Sequence, residues 1–191
     1  MTKGSKMFLI LGAVVVIVGI AAFGSYNSLV GSQEGVKNKW ADVQTQYQRR
    51  IDLIPNLMET VKGSAEFEQS TLQAVVEARS AWAKAASGTI NEQVQAAGGF
   101  DSALSRLLVT VEAYPQLKST EAYRDFMTQQ EGTENRVAVS RRDFNDAVRG
   151  YNTLVRRFPS NIIAGIFGFQ KMDSFKADEG AQKAPKVDFT K

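Results

Sequence analysis

Apolar residues in this chain form one unbroken run near the N-terminus and a periodic stripe after it. The run extends from Met7 to Gly24 and contains no charged residue, no side-chain amide and no proline. In hydrocarbon every backbone N–H and C=O must be satisfied within the segment, and a helix achieves this. At about 1.5 Å per residue the run covers roughly 27 Å, close to the thickness of a bilayer core. The pattern predicts a transmembrane helix over residues 7–24, preceded by a basic flank at residues 1–6.

A cleaved signal peptide is the alternative interpretation, because Lys3 and Lys6 resemble the basic start of such peptides. The run is longer than the apolar region of a signal peptide, which is about 7–15 residues, and Phe23 interrupts the small residues at its end. We therefore expect an uncleaved, single-pass anchor. Positive charge before the run favours a cytoplasmic N-terminus and a periplasmic or extracellular C-terminal domain. The reverse orientation stays open, because the charge difference is small.

After the run, apolar residues recur every three or four positions, as in helices that bury one face. Four helices are predicted in this way, over residues 25–61, about 66–86, about 90–113 and about 119–158. Pro55 falls inside the first of them, where we expect a kink rather than an end. The glycine and serine at positions 63 and 64 follow as its predicted end. Thr89 followed by Glu92 predicts a capping box at the start of the third helix.

The helix lengths and loops predict the fold class. Short loops make neighbouring helices antiparallel. We therefore expect an all-α fold, in which the N-terminal transmembrane helix continues into an antiparallel up-down four-helix bundle with two long and two shorter helices, over residues 25–160. Because the shorter pair cannot reach as far, the long helices should form a two-helix stalk near the membrane, at residues 25–39 and 143–158.

The segment at residues 161–169 is apolar but too short to span a bilayer. The last long helix should deliver it to the membrane surface, where it would lie in the interface. The candidate membrane-interface residues are Ile162, Ile163, Ile166, Phe167 and Phe169. The alternative is that the segment packs on the stalk. Residues 170–191 are polar and aperiodic, which predicts a flexible tail.

The composition excludes several kinds of function. The chain contains no cysteine and no histidine, so it has no disulfide or thiolate metal site and lacks the commonest metal ligand and acid–base catalyst. The formal net charge of +3 lies on a mixed surface, whereas nucleic-acid binding needs a clustered basic face. The sequence holds no phosphate-binding loop, nucleophile elbow or zinc-protease motif. We expect no catalytic residue, no cofactor, no metal site and no nucleic-acid partner.

Polar residues on the two long helices predict a contact between them. The candidate members of an inter-helix network of ion pairs and amides are Arg50, Asn56, Glu134 and Asn135. Such a network is more often structural than catalytic, and it would support the bundle or a partner. In the last helix, Gln130, Thr133 and Ser140 interrupt the apolar stripe. They predict a polar core layer that fixes helix register, with a binding site as the alternative.

Several blocks of sequence resemble those of a known family. They are Trp40-Ala41-Asp42-Val43, the block from Arg49-Arg50 through Ile54-Pro55-Asn56 to Lys62-Gly63, Tyr114-Pro115, Thr133-Glu134-Asn135-Arg136, Phe144-Asn145, Tyr151-Asn152 and Phe158-Pro159. Together they resemble the LemA family of bacterial membrane proteins over about residues 26–169. The resemblance implies a single N-terminal anchor, here in the inner membrane, and an antiparallel helical bundle. It implies no particular activity and carries over no catalytic residue.

Three functional hypotheses follow. We expect a non-enzymatic, membrane-anchored scaffold or interaction protein of the bacterial envelope, whose partners are the lipid bilayer, further copies of the chain and an unknown envelope protein. Gly12 and Gly19 would form the seam for helix pairing. The second hypothesis is an enzyme, or an accessory subunit of a membrane enzyme such as a protease, with a pocket near Arg50, Asn56 and Glu134. The third is a membrane-remodelling or envelope-stress protein that acts through the apolar segment after the last helix.

Overall fold

Helices make up all the regular secondary structure in the described parts of the chain. The computed structural model describes residues 3–62 and 68–176. Its helices are α1 (Lys3–Lys62), α2 (Gln69–Ala85), α3 (Ile90–Glu112), α4 (Pro115–Lys118), α5 (Glu121–Arg156) and α6 (Ser160–Phe167). This confirms the all-α prediction and its long apolar N-terminal helix. The single turn of α4 is an additional element, and Pro115 starts it at a position where a missing N–H costs nothing.

The first helix continues without a break from the apolar run into the rest of the chain. Pro55 lies inside α1, which extends to Lys62. The predicted helix end at positions 63 and 64 lies outside the described residues. Side chains of the apolar run are exposed, with Phe8 at 73%. Within residues 3–62 and 68–176, α1 alone is long and apolar enough to cross a membrane, which fits a membrane location.

The long helices α1 and α5 run antiparallel along each other. Arg50 of α1 pairs with Glu134 of α5. Further towards the membrane, Lys39 Nζ lies 3.6 Å from the Asp143 carboxylate. Positions earlier in α1 therefore meet positions later in α5. Residues on both helices are fully buried along this contact, including Val36 and Val148, so the apolar seam continues into the predicted stalk region.

The shorter helices α2 and α3 form the second pair. A tight turn joins them, and Thr89 caps the N-terminus of α3. The Thr89 hydroxyl accepts a hydrogen bond from the Glu92 N–H at 3.3 Å, and the Glu92 carboxylate accepts one from the Thr89 N–H at 2.6 Å. This confirms the predicted capping box. Because two otherwise unsatisfied donors are paired here, α3 starts at a defined residue.

Side chains from α1, α2, α3 and α5 share one hydrophobic core. Trp82 of α2 stacks on Tyr47 of α1 with ring centroids 5.0 Å apart. Phe100 of α3 meets the same tyrosine edge-on, and Phe144 of α5 lies 5.1 Å from Trp40 of α1. Large aromatic side chains therefore hold the two helix pairs together. The specific up-down four-helix arrangement stays a prediction, because a cleft separates α3 from α5.

The buried polar residues of α5 do not link helices as predicted. Gln130, Thr133 and Ser140 are buried. The Thr133 hydroxyl donates to the Gln129 carbonyl at 2.5 Å, and the Ser140 hydroxyl donates to the Val137 carbonyl at 3.0 Å. These bonds stay within α5, the usual way a helix satisfies a buried hydroxyl. The prediction of a register-fixing layer is therefore wrong for these two residues.

The first seven residues of the predicted flexible tail pack against the helices. Residues 170–176, here called the strap, are extended and lie along α5 towards α3. Phe175 packs beside aromatic rings of the core. Its ring centroid lies 6.0 Å from that of Trp40 and 5.8 Å from that of Phe144. The strap thus adds a third element to the predicted two-helix stalk. Residues 177–191, the remainder of the predicted tail, lie outside the described residues.

Two asparagines of α5 hold the strap through its backbone. The Asn152 side chain donates to the Met172 carbonyl at 2.8 Å and accepts from the Met172 N–H at 3.0 Å. Asn145 makes the same pair of bonds with Phe175, at 3.1 and 2.9 Å. Seven helical residues rise about 10.5 Å and three extended residues span about 10 Å. The spacing of Asn145 and Asn152 along α5 therefore matches the spacing of Phe175 and Met172 along the strap.

Replacing both strap asparagines should release the strap without unfolding the helices. Asn145→Ala with Asn152→Ala removes four hydrogen bonds, each contributing about 0.5–1.5 kcal/mol. Hydrogen–deuterium exchange should then become at least tenfold faster at the Met172 and Phe175 amides. Asn135→Ala, on an exposed part of the same helix, should leave both amides protected. Unchanged exchange in the double variant would show that the asparagines do not hold the strap.

Candidate functional site

The structure brings together two of the four residues predicted to form an inter-helix network. Arg50 is buried on α1, with a side chain that is 3% exposed, and its guanidinium pairs with the Glu134 carboxylate of α5. Asn56 and Asn135 are exposed. Neither asparagine side chain makes a hydrogen bond to this pair in the described structure. The predicted contact between the long helices is therefore the Arg50–Glu134 ion pair, without Asn56 and Asn135.

Three further residues complete the cluster, and sequence reasoning missed them. Asp101 of α3 accepts a hydrogen bond from Arg50 Nη1 at 2.8 Å and another from the Tyr47 hydroxyl at 2.7 Å. Arg141 of α5 pairs with the same carboxylate and donates to the Tyr47 oxygen. We call Tyr47, Arg50, Asp101, Glu134 and Arg141 the charge cluster. It cross-links α1, α3 and α5.

A weak sequence signal for the missing members was available. Asp101 directly follows Phe100, a fully buried stripe residue, so its side chain lies at the edge of the buried face. Arg141 directly follows Ser140 in the same way. Charged residues at the edges of apolar stripes on three neighbouring helices are candidates to meet. The pairing itself joins residues about forty or more positions apart, and helix periodicity contains no information on such pairs.

Aromatic rings and burial set the electrostatics of the cluster. The Arg141 guanidinium lies 5.4 Å from the Tyr47 ring centroid and 4.6 Å from that of Phe175, both within cation–π range. Burial raises the pKa of Tyr47 to about 12, against the opposing effects of Arg141 and Arg50. The hydroxyl is therefore protonated at neutral pH, which lets it donate to Asp101. Two arginines face two carboxylates, so the cluster is charge-balanced.

A cleft of about 1150 Å³ lies between α3 and α5, with the charge cluster in its wall and the strap at one end. Arg50 and Glu134 line it, as the enzyme hypothesis requires, but Asn56 does not. The Ser102 hydroxyl in the wall donates to its own helix at the Gly98 carbonyl, at 2.9 Å. Within the described ranges, no group of three or more acidic side chains is placed to hold a metal ion. The cleft offers shape and paired charges, without an activated nucleophile.

The apolar segment after α5 folds as α6, with one face against α1 and the other exposed. Ser160 and Ala164 are buried. The five candidate interface residues divide between the faces. Ile162, Ile166 and Phe167 are exposed, whereas Ile163 and Phe169 are half-buried. The Phe167 ring centroid lies 4.8 Å from that of Tyr26, and the Phe169 ring 5.9 Å from it. The packed face agrees with the alternative that the segment packs on the stalk, and contact of the exposed face with the membrane interface stays a prediction.

Comparison with known proteins gives a family and several relatives. The sequence model of the LemA family matches residues 39–189. Magnetosome protein MamQ 2 of Paramagnetospirillum magneticum is 28% identical over 192 aligned residues, which cover 85% of this chain and 71% of that protein. Magnetosome protein MamQ of Magnetospirillum gryphiswaldense is 28% identical, over 78% of this chain and 64% of its own length. Protein LemA of Metamycoplasma hominis is 26% identical, over 93% of this chain and 82% of its length.

Removal of Asp101 should destabilise the protein more than removal of Glu134. Asp101→Ala leaves Arg50, Arg141 and Tyr47 without their shared acceptor, and breaking a buried charge pair costs about 3 kcal/mol or more. The Glu134 side chain is 62% exposed, so Glu134→Ala should cost about 1 kcal/mol or less. Urea unfolding of the full chain in detergent, followed by tryptophan fluorescence, measures both values. Asn135→Ala should change the free energy of unfolding by less than about 0.5 kcal/mol. Equal losses for the two acidic residues would contradict the assigned geometry.

Tyr47→Phe should reduce the alkaline sensitivity of the fold. Since the pKa of Tyr47 is raised from 10.0 to about 12, the folded protein retains between these pH values a proton that the unfolded chain releases. Its stabilising contribution is complete below pH 10 and is lost as the pH rises to 12. At pH 11 the loss is about 1 kcal/mol. The free energy of unfolding should fall less from pH 9 to pH 11 in Tyr47→Phe than in the wild type or in Tyr26→Phe. Identical slopes would show that Tyr47 does not hold its proton through burial.

Proposed function

The chain belongs to the LemA family, and we propose that it is a non-enzymatic membrane-anchored scaffold. It holds the helices that pack beyond the stalk, here called the head, at a set distance from the bilayer. The observation that carries the proposal is the continuity of α1. Beyond Gly24 the same helix runs to Lys62, about 57 Å at 1.5 Å per residue. Because α5 packs along it, the two helices form a support, here called the post, which is stiffer than a single helix. A rigid post suits a protein that presents a binding surface, rather than one that searches for a substrate on a loose tether.

The chemistry of the charge cluster supports a role without catalysis. Its carboxylates and guanidinium groups are paired with one another, and Tyr47 keeps its proton at neutral pH. None of them is a nucleophile placed beside a free base. The names of these relatives state no enzymatic activity. We therefore assign the cluster to cross-linking the helices.

The anchor supports a location in the bacterial inner membrane. We propose that the N-terminus is cytoplasmic and the head periplasmic or extracellular, because positive charge precedes the apolar run and residues 25–36 contain no lysine or arginine. In this orientation the head would meet an envelope protein partner or further copies of the chain.

Self-association through the anchor is supported by two glycines. Gly12 and Gly19 are seven residues apart and so share one side of the helix. Apart from the adjacent residues and the backbone of α1 itself, no described atom lies within 4 Å of the Cβ position at either glycine, so the seam is open for a second helix. Small residues at this spacing let two helix backbones approach closely in lipid. We propose a homo-oligomer held partly by this seam.

A seam variant should weaken the oligomer. Gly12→Leu with Gly19→Leu blocks close approach, and the mass of the protein–detergent complex, measured by native mass spectrometry, should shift towards the monomer. Ala13→Leu with Ala21→Leu enlarges two small residues on other sides of the same helix and should leave the mass unchanged. A wild-type protein that is monomeric at all concentrations would overturn self-association. An oligomer unaffected by the seam variant would move the interface to the head.

A further inference from the structure

We infer that the exposed face of α6 is a second membrane-contact site, which lies in the headgroup layer of the bilayer that α1 crosses. The inference rests on the proposed anchoring by α1 and adds a second point of attachment. The contact surface consists of Phe158, Ile162, Ile166 and Phe167, and its partner is the lipid surface. We call these four residues the α6 surface.

Exposure separates Ile162 and Ile166 from the packed side of α6, whereas Phe167 lies at the edge of the packed side, against Tyr26. Phe158 is 74% exposed, Ile162 52%, Ile166 70% and Phe167 59%. Ile162 and Ile166 are four residues apart and lie on one side of the helix. Ser160 and Ala164 have the same spacing, face the opposite direction and are buried. Four large apolar side chains exposed within ten residues are costly in water, since burying each contributes about 1.5–3 kcal/mol.

The position of α6 along α1 places this surface at the level of the headgroups. Phe167 contacts Tyr26, which lies two residues, or about 3 Å, beyond the end of the apolar run. The polar layer on each side of a bilayer is about 5–7 Å thick. The antiparallel register of α1 and α5 brings the end of α5 at Arg156 to the same level. Because α6 begins four residues after this end of α5 and ends in contact with Tyr26, it lies close to this level.

Two features favour lipid over a protein as the partner. The surface is continuous with the apolar run through the Tyr26–Phe167 contact, so the bilayer that surrounds the run also reaches the surface. Arg156 and Arg157 are exposed just before it, where guanidinium groups meet lipid phosphates. Aromatic rings at the end of a span are typical of the membrane interface. An amphipathic segment with these features lies in the interface plane.

A second contact would fix how the head stands on the membrane. A single transmembrane helix is free to rotate about its axis and to change its tilt. A short helix that packs on α1 and lies at headgroup depth resists both motions. The head would then present a fixed side to its partners, which a scaffold requires.

Spin labels on single cysteines can test the depth of α6 directly, because the chain has no cysteine of its own. The full chain would carry one label at Ile166→Cys and be reconstituted in phosphatidylcholine vesicles containing phosphatidylglycerol. Labels at Val18→Cys in the anchor and Val139→Cys on the exposed side of α5 give the lipid and water references. Collision with oxygen reports lipid, and collision with a soluble nickel chelate reports water. We expect nickel collisions at position 166 to be several-fold rarer than at position 139, with oxygen collisions nearer those at position 18.

Each other outcome has a defined meaning. A label at position 166 that behaves like the one at 139 overturns the inference. A label shielded from both reagents indicates contact with another protein copy, which also overturns lipid as the partner. Nickel access at position 18 would instead overturn the anchor, so the two failures are distinguishable. Ile162→Cys, on the same face, repeats the test if the first variant does not fold, as judged by circular dichroism.

Discussion

The backbone of α1 continues without a break from the exposed apolar run into the packed helices, and the other elements depend on this constraint. Up to Gly24 its side chains are exposed, and beyond it the buried ones face α5, α3, α6 and the strap. A helix satisfies its own backbone both in hydrocarbon and in a protein core. The same element therefore carries the candidate membrane span and provides one wall of the core. No hinge between residues 25 and 62 separates the two tasks.

The charge cluster specifies how the helices meet around α1. Burying the Arg50 guanidinium carries a desolvation cost, and two carboxylates from two different helices offset it. Apolar contacts alone tolerate sliding and rotation, whereas a guanidinium fork accepts few arrangements. Tyr47 adds to this, because it stacks on Trp82 through its ring and donates to Asp101 through its hydroxyl. The cluster therefore sets orientation more than it adds net stability.

The LemA family model matches the part of this chain that contains the packed helices and the strap. The match begins at residue 39, after the anchor and the first part of the stalk, and includes the charge cluster and the strap. The strap joins the stalk to the core, because Asn145 and Asn152 of the stalk bind its backbone and Phe175 covers the core aromatics. The head thus stands on a post with two proposed contacts to one bilayer, through the anchor and through α6.

Local patterns in the sequence determined the anchor, the long helices, the capping box at Thr89 and the apolar identity of residues 161–169. Each depends on residues within a few positions of one another, so helix periodicity and hydrogen-bond capping are sufficient to predict them. The tertiary structure alone decided that Asp101 and Arg141 join Arg50, and that Asn56 and Asn135 do not. It also decided where residues 170–176 pack. The strap is held mainly by its backbone, which every sequence shares, so its side chains show no periodic pattern to predict its place.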